Sequence, residues 1–158
     1  MNLHRARMLE LINFTRTHSV VEPYGCSIYD DSGNLLISVT GNKESPINHA
    51  EVLAINQCAK LFPKIRWEDL TLYTTGEPCC MCASACCWAN LKEVIYATDI
   101  PFMIKLWGIE SPSRALDIMK SHPKIPNLIG SVCAEESNQL FAERKEIFAK
   151  ACLESRWL

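Results

Sequence analysis

Glu77-Pro78-Cys79-Cys80-Met81-Cys82 decides how the rest of the chain reads. Two thiols at the spacing Cys-x-x-Cys, directly after a proline, are placed as metal ligands opening a helix. That spacing brings both sulfurs to one side of the first turn, where the positive helix end favours thiolate over thiol. Upstream, Asn48-His49-Ala50-Glu51 offers one imidazole and one carboxylate. Structural zinc sites are closed by four protein ligands, whereas catalytic ones take three and leave a place for water. His49, Cys79 and Cys82 make three. Glu51 is expected to reach that water without binding the metal and to carry its proton to a leaving nitrogen. The chemistry this predicts is metal-assisted hydrolysis of an amino-substituted ring.

Outward from the motif, hydrophobic periodicity places the elements. Leu70 to Thr75 is apolar and β-branched, hence a strand leading into the motif. Cys79 to Asn90 reads as a helix whose small residues suit close packing on a sheet, and Glu93 to Ala97 as the next strand. On the upstream side, Cys26 to Tyr29 and Leu35 to Val39 flank the turn-rich Asp30-Asp31-Ser32-Gly33-Asn34, which predicts a hairpin. Asn48 is the expected N-cap of a helix reaching about Phe62 and burying Val52, Leu53, Ile55 and Ala59, with Glu51 three residues on as in a capping box. Leu3 to Thr17 has amphipathic spacing. Downstream, Pro101 to Leu106 and Ser113 to Ser121 read as helical, Asn127 to Val132 as a strand, and Glu135 to about Leu153 as a closing helix with Leu140, Phe141, Ile147, Phe148 and Ala151 inside. Strands and helices alternate, so the expected class is α/β, a central sheet with helices on both faces.

Size and composition narrow the function. The 158 residues fit one domain, and a hydrophobic share of 48% is enough for a sizeable core. Sixteen basic against eighteen acidic side chains give a net charge of -2, which provides no global pull toward nucleic acid or anionic membrane. No apolar run approaches the roughly 20 residues of a membrane span. Met1-Asn2-Leu3-His4-Arg5 lacks the apolar run of a signal peptide, so a cytoplasmic location with reduced thiols is expected. Nine cysteines then read as metal ligands plus small buried hydrophobes, the second group being Cys26, Cys58, Cys86, Cys87, Cys133 and Cys152. Cys80 is expected beside the metal without binding it. His4, His18 and His122 have no partner pattern and read as surface residues.

His-x-Glu followed by Pro-Cys-x-x-Cys is the signature of the zinc deaminases. With Tyr73-Thr74-Thr75-Gly76 before it and Trp88 to Ala97 after it, the chain resembles the cytidine deaminase-like superfamily, and within it the small guanine, nucleoside and tRNA-adenosine deaminases. The resemblance covers roughly residues 20 to 100 and implies a three-layer α/β/α sandwich around a mixed five-stranded sheet. It implies one CMP/dCMP-type deaminase domain over 1–158, a Zn2+ cofactor, and a homodimer. It also implies substrate contacts from Asn42 after the second strand, from the Ala50 backbone, and from Trp88, a position resembling the tryptophan of guanine-type deaminases. Trp107 is expected to wall the pocket, Glu110 to pair with ring N–H groups, and Trp157 to reach a neighbouring subunit's site. Position 80, commonly proline in this motif, is cysteine here, and Ala89-Asn90 follows Trp88 where the tRNA-type enzymes have Ala-Arg after histidine.

Three functions compete. Hydrolytic deamination of a free purine base or nucleoside, guanine foremost, is favoured by Trp88 and by the absence of basic character. It makes the partner a small molecule, with no nucleic acid and no membrane. Deamination of adenosine in a tRNA loop needs a cationic surface that the charge balance does not supply. A catalytically silent zinc-binding protein is opposed by the intact Glu51.

Overall fold

The computed structural model describes residues 2–108 and 111–155. Five strands form one sheet in the order β2-β1-β3-β4-β5, from Leu35–Thr40 (β2), Gly25–Tyr29 (β1), Thr71–Gly76 (β3), Glu93–Thr98 (β4) and Asn127–Ile129 (β5). β1 runs antiparallel to both β2 and β3, while β3, β4 and β5 are parallel, so the sheet is mixed. The β1–β2 hairpin closes where expected. Gly33 takes a positive φ of 89°, and the Asp30 carboxylate accepts from the Asn34 backbone and side chain.

Helices cover both faces, and the period-two alternation of the strands sorts the core between them. On one face Cys26, Ile28, Leu72 and Val94 meet α2 (Ala50–Leu61), α3 (Cys80–Trp88) and α5 (Ala115–Met119). On the other Tyr29, Tyr73, Ile95 and Ala97 meet α1 (Leu3–His18) and α6 (Ala134–Ser155). α4 (Ile100–Trp107) packs against α6 through Met103 and Phe141. The parallel strands β3 and β4 are joined through α3, a crossover connection of the kind parallel pairing requires. Cys82, Ala83, Cys86 and Cys87 are the buried residues of α3, and their small volume lets this helix lie close to the sheet. Enlarging one of them would overpack that contact at a cost of about 1–3 kcal/mol.

Two expected faces are corrected. α2 buries Ala50, Glu51, Ala54 and Cys58, whereas Val52, Leu53 and Ile55 are only half-buried and Ala59 is exposed. The largest apolar residues therefore lie at the margins of this contact and the small ones at its centre, because a short distance to β1 and β2 leaves room for little else. In α6 the inner stripe contains Ser137, Leu140, Phe141, Phe148 and Cys152, while Ile147 is 49% exposed. The six cysteines read as buried hydrophobes are all buried free thiols. Among the described residues no helix is long and apolar enough to cross a membrane.

The topology makes one end of the sheet functional. β1 is antiparallel to its neighbours, so the residues entering β1 lie at the same end as those leaving β2 and β3. Gly41 N donates to Tyr24 O, and Thr75 Oγ1 donates to Pro23 O while accepting from Gly25 N, which ties these three connections together.

Candidate active site

Four segments converge at that end. They are the entry to β1 (Glu22, Tyr24), the loop after β2 (Gly41 to Asn48), the first turn of α2, and the β3–α3 turn carrying Glu77 and Cys79. With Phe148 and Cys152 of α6 they enclose a cavity of about 190 Å3 as formed by the described residues.

His49, Cys79 and Cys82 present one nitrogen and two sulfurs within 4.8 Å of one another. His49 Nδ1 lies 3.5 Å from each sulfur. A tetrahedral zinc with Zn–N of about 2.0–2.1 Å and Zn–S of about 2.3 Å separates such ligands by about 3.6 Å, so the spacing and the soft donor set both fit that ion. Cys79 is the N-cap of α3, and Cys82 sits on its first turn. Hydrogen bonding to Cys82 and to His49 brings Cys79 down to about 4, while the bond to Cys79 and burial push Cys82 well up.

Glu51 is 3% exposed, and its Oε1 accepts from Thr74 Oγ1 at 2.9 Å. Burial raises its pKa above the ordinary carboxylate range, and the neighbouring Cys79 adds to the rise. The capping expectation is corrected here. The N-cap of α2 is His49, with no side-chain cap bond, rather than Asn48. Asn48 Nδ2 instead donates to Asn42 Oδ1 at 2.8 Å, holding the loop shut above the helix end. His49 cannot cap with its ring because Nδ1 faces the two sulfurs.

The other expected contacts divide. Asn42 lines the cavity, with its Oδ1 accepting from both Asn48 Nδ2 and Glu44 N. Ala50 is fully buried and does not line the cavity. Trp88 is not brought to the pocket within this chain. It stands at the far end of α3, 75% exposed, with its ring edge-on to His122 at 5.4 Å. Trp107 lies behind the wall, packed on Phe148 at 4.9 Å and on Tyr24 at 6.3 Å between ring centroids, and among the described residues its buried Nε1 has no hydrogen-bond partner. Glu110 and Trp157 lie outside the described residues. Cys80 is exposed and apart from the ligand cluster. Of the surface histidines only His18 is exposed; His4 Nδ1 meets the Tyr73 hydroxyl at 2.8 Å, and His122 Nε2 meets Ser84 Oγ at 3.2 Å.

Two carboxylates escaped the reading of the sequence. Glu77, taken as part of a turn, has a side chain only 1% exposed. Its oxygens accept from Arg114 Nε at 2.9 and 3.0 Å, Ala115 N at 2.9 Å and Ile100 N at 3.0 Å, which locks the motif to the starts of α4 and α5. Arg114 was visible only as one charge among many. Glu22, in the connection before β1, is 5% exposed and lines the cavity. A charged residue directly before a Pro-x-Gly strand entry was the one available signal for it.

The mixed five-stranded sheet between helices, with His49, Cys79 and Cys82 clustered at one end and Glu51 buried in the same cavity wall, is a cytidine deaminase-like scaffold. The model of the MafB19-like deaminase family matches residues 18–125, and the chain belongs to that family. The tRNA-specific adenosine deaminase of Rickettsia bellii is 35% identical over 119 residues, 73% of this chain and 79% of that one. The guanine deaminase of Bacillus subtilis is 38% identical over 80 residues, 49% of this chain and 51% of that one. The structure of guanine deaminase from Nitrosomonas europaea superposes with a TM-score of 0.78 at 19% identity, covering 92% of this chain and 86% of that one, a likeness of fold.

Proposed function

We propose that this chain is a zinc-dependent hydrolase that removes the exocyclic amino group of a free purine base, guanine foremost, as ammonia. The observation that carries the reading is the buried Glu51 carboxylate standing beside His49 Nδ1, itself 3.5 Å from two sulfurs, at the wall of a compact cavity. His49, Cys79 and Cys82 are the residues we assign to hold zinc. The ion supplies Lewis acidity that makes water nucleophilic at neutral pH.

The chain's own residues supply the rest. Glu51 takes a proton from the attacking water and delivers it to the leaving nitrogen, as the new carbon–oxygen bond forms and the carbon–nitrogen bond breaks. Thr74 fixes the carboxylate by donating to its Oε1. Burial among apolar neighbours raises the carboxyl's proton affinity toward that of the groups it serves, which is how a glutamate is tuned for proton transfer. We assign the Asn42 amide NH2 to the substrate ring, since its oxygen is committed to the loop.

Size supports a free base. About 190 Å3 is below the roughly 300 Å3 at which typical ligand pockets begin, and α6 lies over the site. A net charge of -2 supports a small uncharged substrate, in a cytoplasmic homodimer acting as one deaminase domain. A second reading, adenosine deamination in a tRNA, is favoured by the Rickettsia bellii relative, which is so named. Ammonia release from a panel of free bases and nucleosides decides between them. Turnover of guanine is expected; silence on every purine, with inosine formed in a tRNA anticodon stem-loop, would replace the first reading by the second.

A further inference from the structure

The mechanism above leaves Glu22 unused. Its carboxylate lies in a wall of the same cavity as Glu51, 5% exposed, and among the described residues its buried Oε1 accepts no hydrogen bond. Lys43 Nζ stands 3.5 Å from that oxygen, an ion-pair contact longer than a good hydrogen bond. The residue is built into place. Ser19 Oγ accepts from Glu22 N at 2.7 Å, and Arg144 of α6 donates to Ser19 O, so the connection before β1 is anchored from below. The other carboxylate oxygen lies over Gly41, where an added Cβ would come to 3.3 Å from it. The absence of a side chain at 41 gives Glu22 its room.

A buried carboxylate in a cavity wall, held through one oxygen by a single lysine ion pair, keeps capacity to accept from a further donor. Burial raises its pKa, and Lys43 opposes the rise, favouring the acceptor form. No catalytic step requires a second acid on this wall. What a carboxylate recognises is an N–H donor.

We infer that Glu22 is the specificity-determining residue of this site, accepting a hydrogen bond from a ring N–H of a free base, and that it thereby selects the free base over its N-glycosylated form. A free purine carries an imidazole N–H at the position where a nucleoside carries its sugar. The sugar removes that donor and adds bulk to a cavity of about 190 Å3. The inference rests on the deaminase reading above and deepens it by naming the residue that selects the free base. A charge-assisted hydrogen bond in a dry site corresponds to roughly a 10- to 100-fold difference in affinity.

The test is equilibrium binding of guanine and of guanosine to the zinc-loaded protein, for wild type, Glu22→Gln and Glu22→Asp. Zinc content and melting temperature are recorded for each. Wild type is expected to bind guanine at least about tenfold more tightly than guanosine. Glu22→Gln, with zinc and melting temperature held, is expected to lose most of that preference by weakening guanine and not guanosine. Should Glu22→Gln fail to fold, Glu22→Asp keeps the charge but withdraws it by one methylene, and it should weaken guanine alone. A purely structural role would lower the melting temperature and leave the ratio unchanged. If both variants keep the wild-type preference, the inference fails while the deaminase reading stands. If wild type binds neither purine and converts adenosine in a tRNA stem-loop instead, the free-base reading and the inference fall together.

Discussion

The two walls of the cavity are built differently. The reaction wall, with His49, Glu51, Cys79 and Cys82, comes from two helix starts, and each start holds its residues within a few positions in the sequence. The recognition wall, with Glu22, Tyr24, Lys43 and Phe148, comes from two separate connections and a helix near the far end of the chain. On the function proposed above, the first wall answers to the chemistry of one ion and one proton carrier, and the second to whatever the ring presents. Chemistry of this kind leaves a compact local pattern, whereas selectivity is assembled from residues that meet only in the fold.

If this division is right, the largest loss should come from the reaction wall. Glu51→Gln keeps the shape and removes the proton carrier, so kcat should fall by about 10²- to 10⁴-fold with zinc content unchanged. Steady-state ammonia release alongside metal analysis checks this. Retained turnover would move the proton transfer to another group and dissolve the distinction between the walls.

The next largest effect tests the joint between motif and scaffold. Arg114→Met leaves the buried Glu77 carboxylate with two backbone donors and no cation. Because the Arg114 side chain is 41% exposed, the expected cost is moderate, about 1.5–3 kcal/mol, or roughly 3–10 °C in melting temperature. Calorimetry reads it directly. Unchanged stability would make Glu77 a residue of the site rather than a latch.

A smaller effect concerns the recognition wall. Burial holds the Glu22 carboxyl above its ordinary range, so the folded protein binds that proton more tightly than the unfolded chain. Its ionisation therefore costs stability as pH rises through the window between the ordinary and the raised values, and that cost is absent below it. Lys43 and, more weakly, His49 act on it in the opposite direction. Wild type should lose stability relative to Glu22→Gln as pH rises through that window, as read from denaturant midpoints of the zinc-loaded proteins. A difference of opposite sign would mean that Lys43 outweighs burial.

Trp88 should matter least. At 75% exposure, Trp88→Ala should change stability by no more than about 0.5 kcal/mol and the KM for guanine less than about twofold. A tenfold rise in KM would sharpen the comparison instead, since it would bring Trp88 to the site from a second copy of the chain.

The same contrast explains what could be read before the fold was known. The strand pattern, the crossover helix and the meeting of His49 with Cys79 and Cys82 followed from periodicity and spacing, because those signals are local. Asn48 looked like a cap, yet the two sulfurs held the His49 ring and the Asn42 loop took the Asn48 amide. Val52 and Leu53 looked like core because apolar side chains are usually buried, but close approach to the sheet reserved that centre for Ala50, Ala54 and Cys58. Trp88 was placed in the pocket by likeness to a family position, while α3, whose first turn carries Cys82, turns it to the surface. Glu22 and Arg114 had no local pattern, since their partners lie 21 and 37 residues away at Lys43 and Glu77.

The most direct test is the zinc content of the purified protein and of Cys82→Ser, a substitution that removes one sulfur. One zinc per wild-type chain, lost or sharply weakened in the variant, is expected. A wild-type protein that binds no zinc after reconstitution, or a variant that holds it as tightly, would contradict the assignment of His49, Cys79 and Cys82 as its ligands.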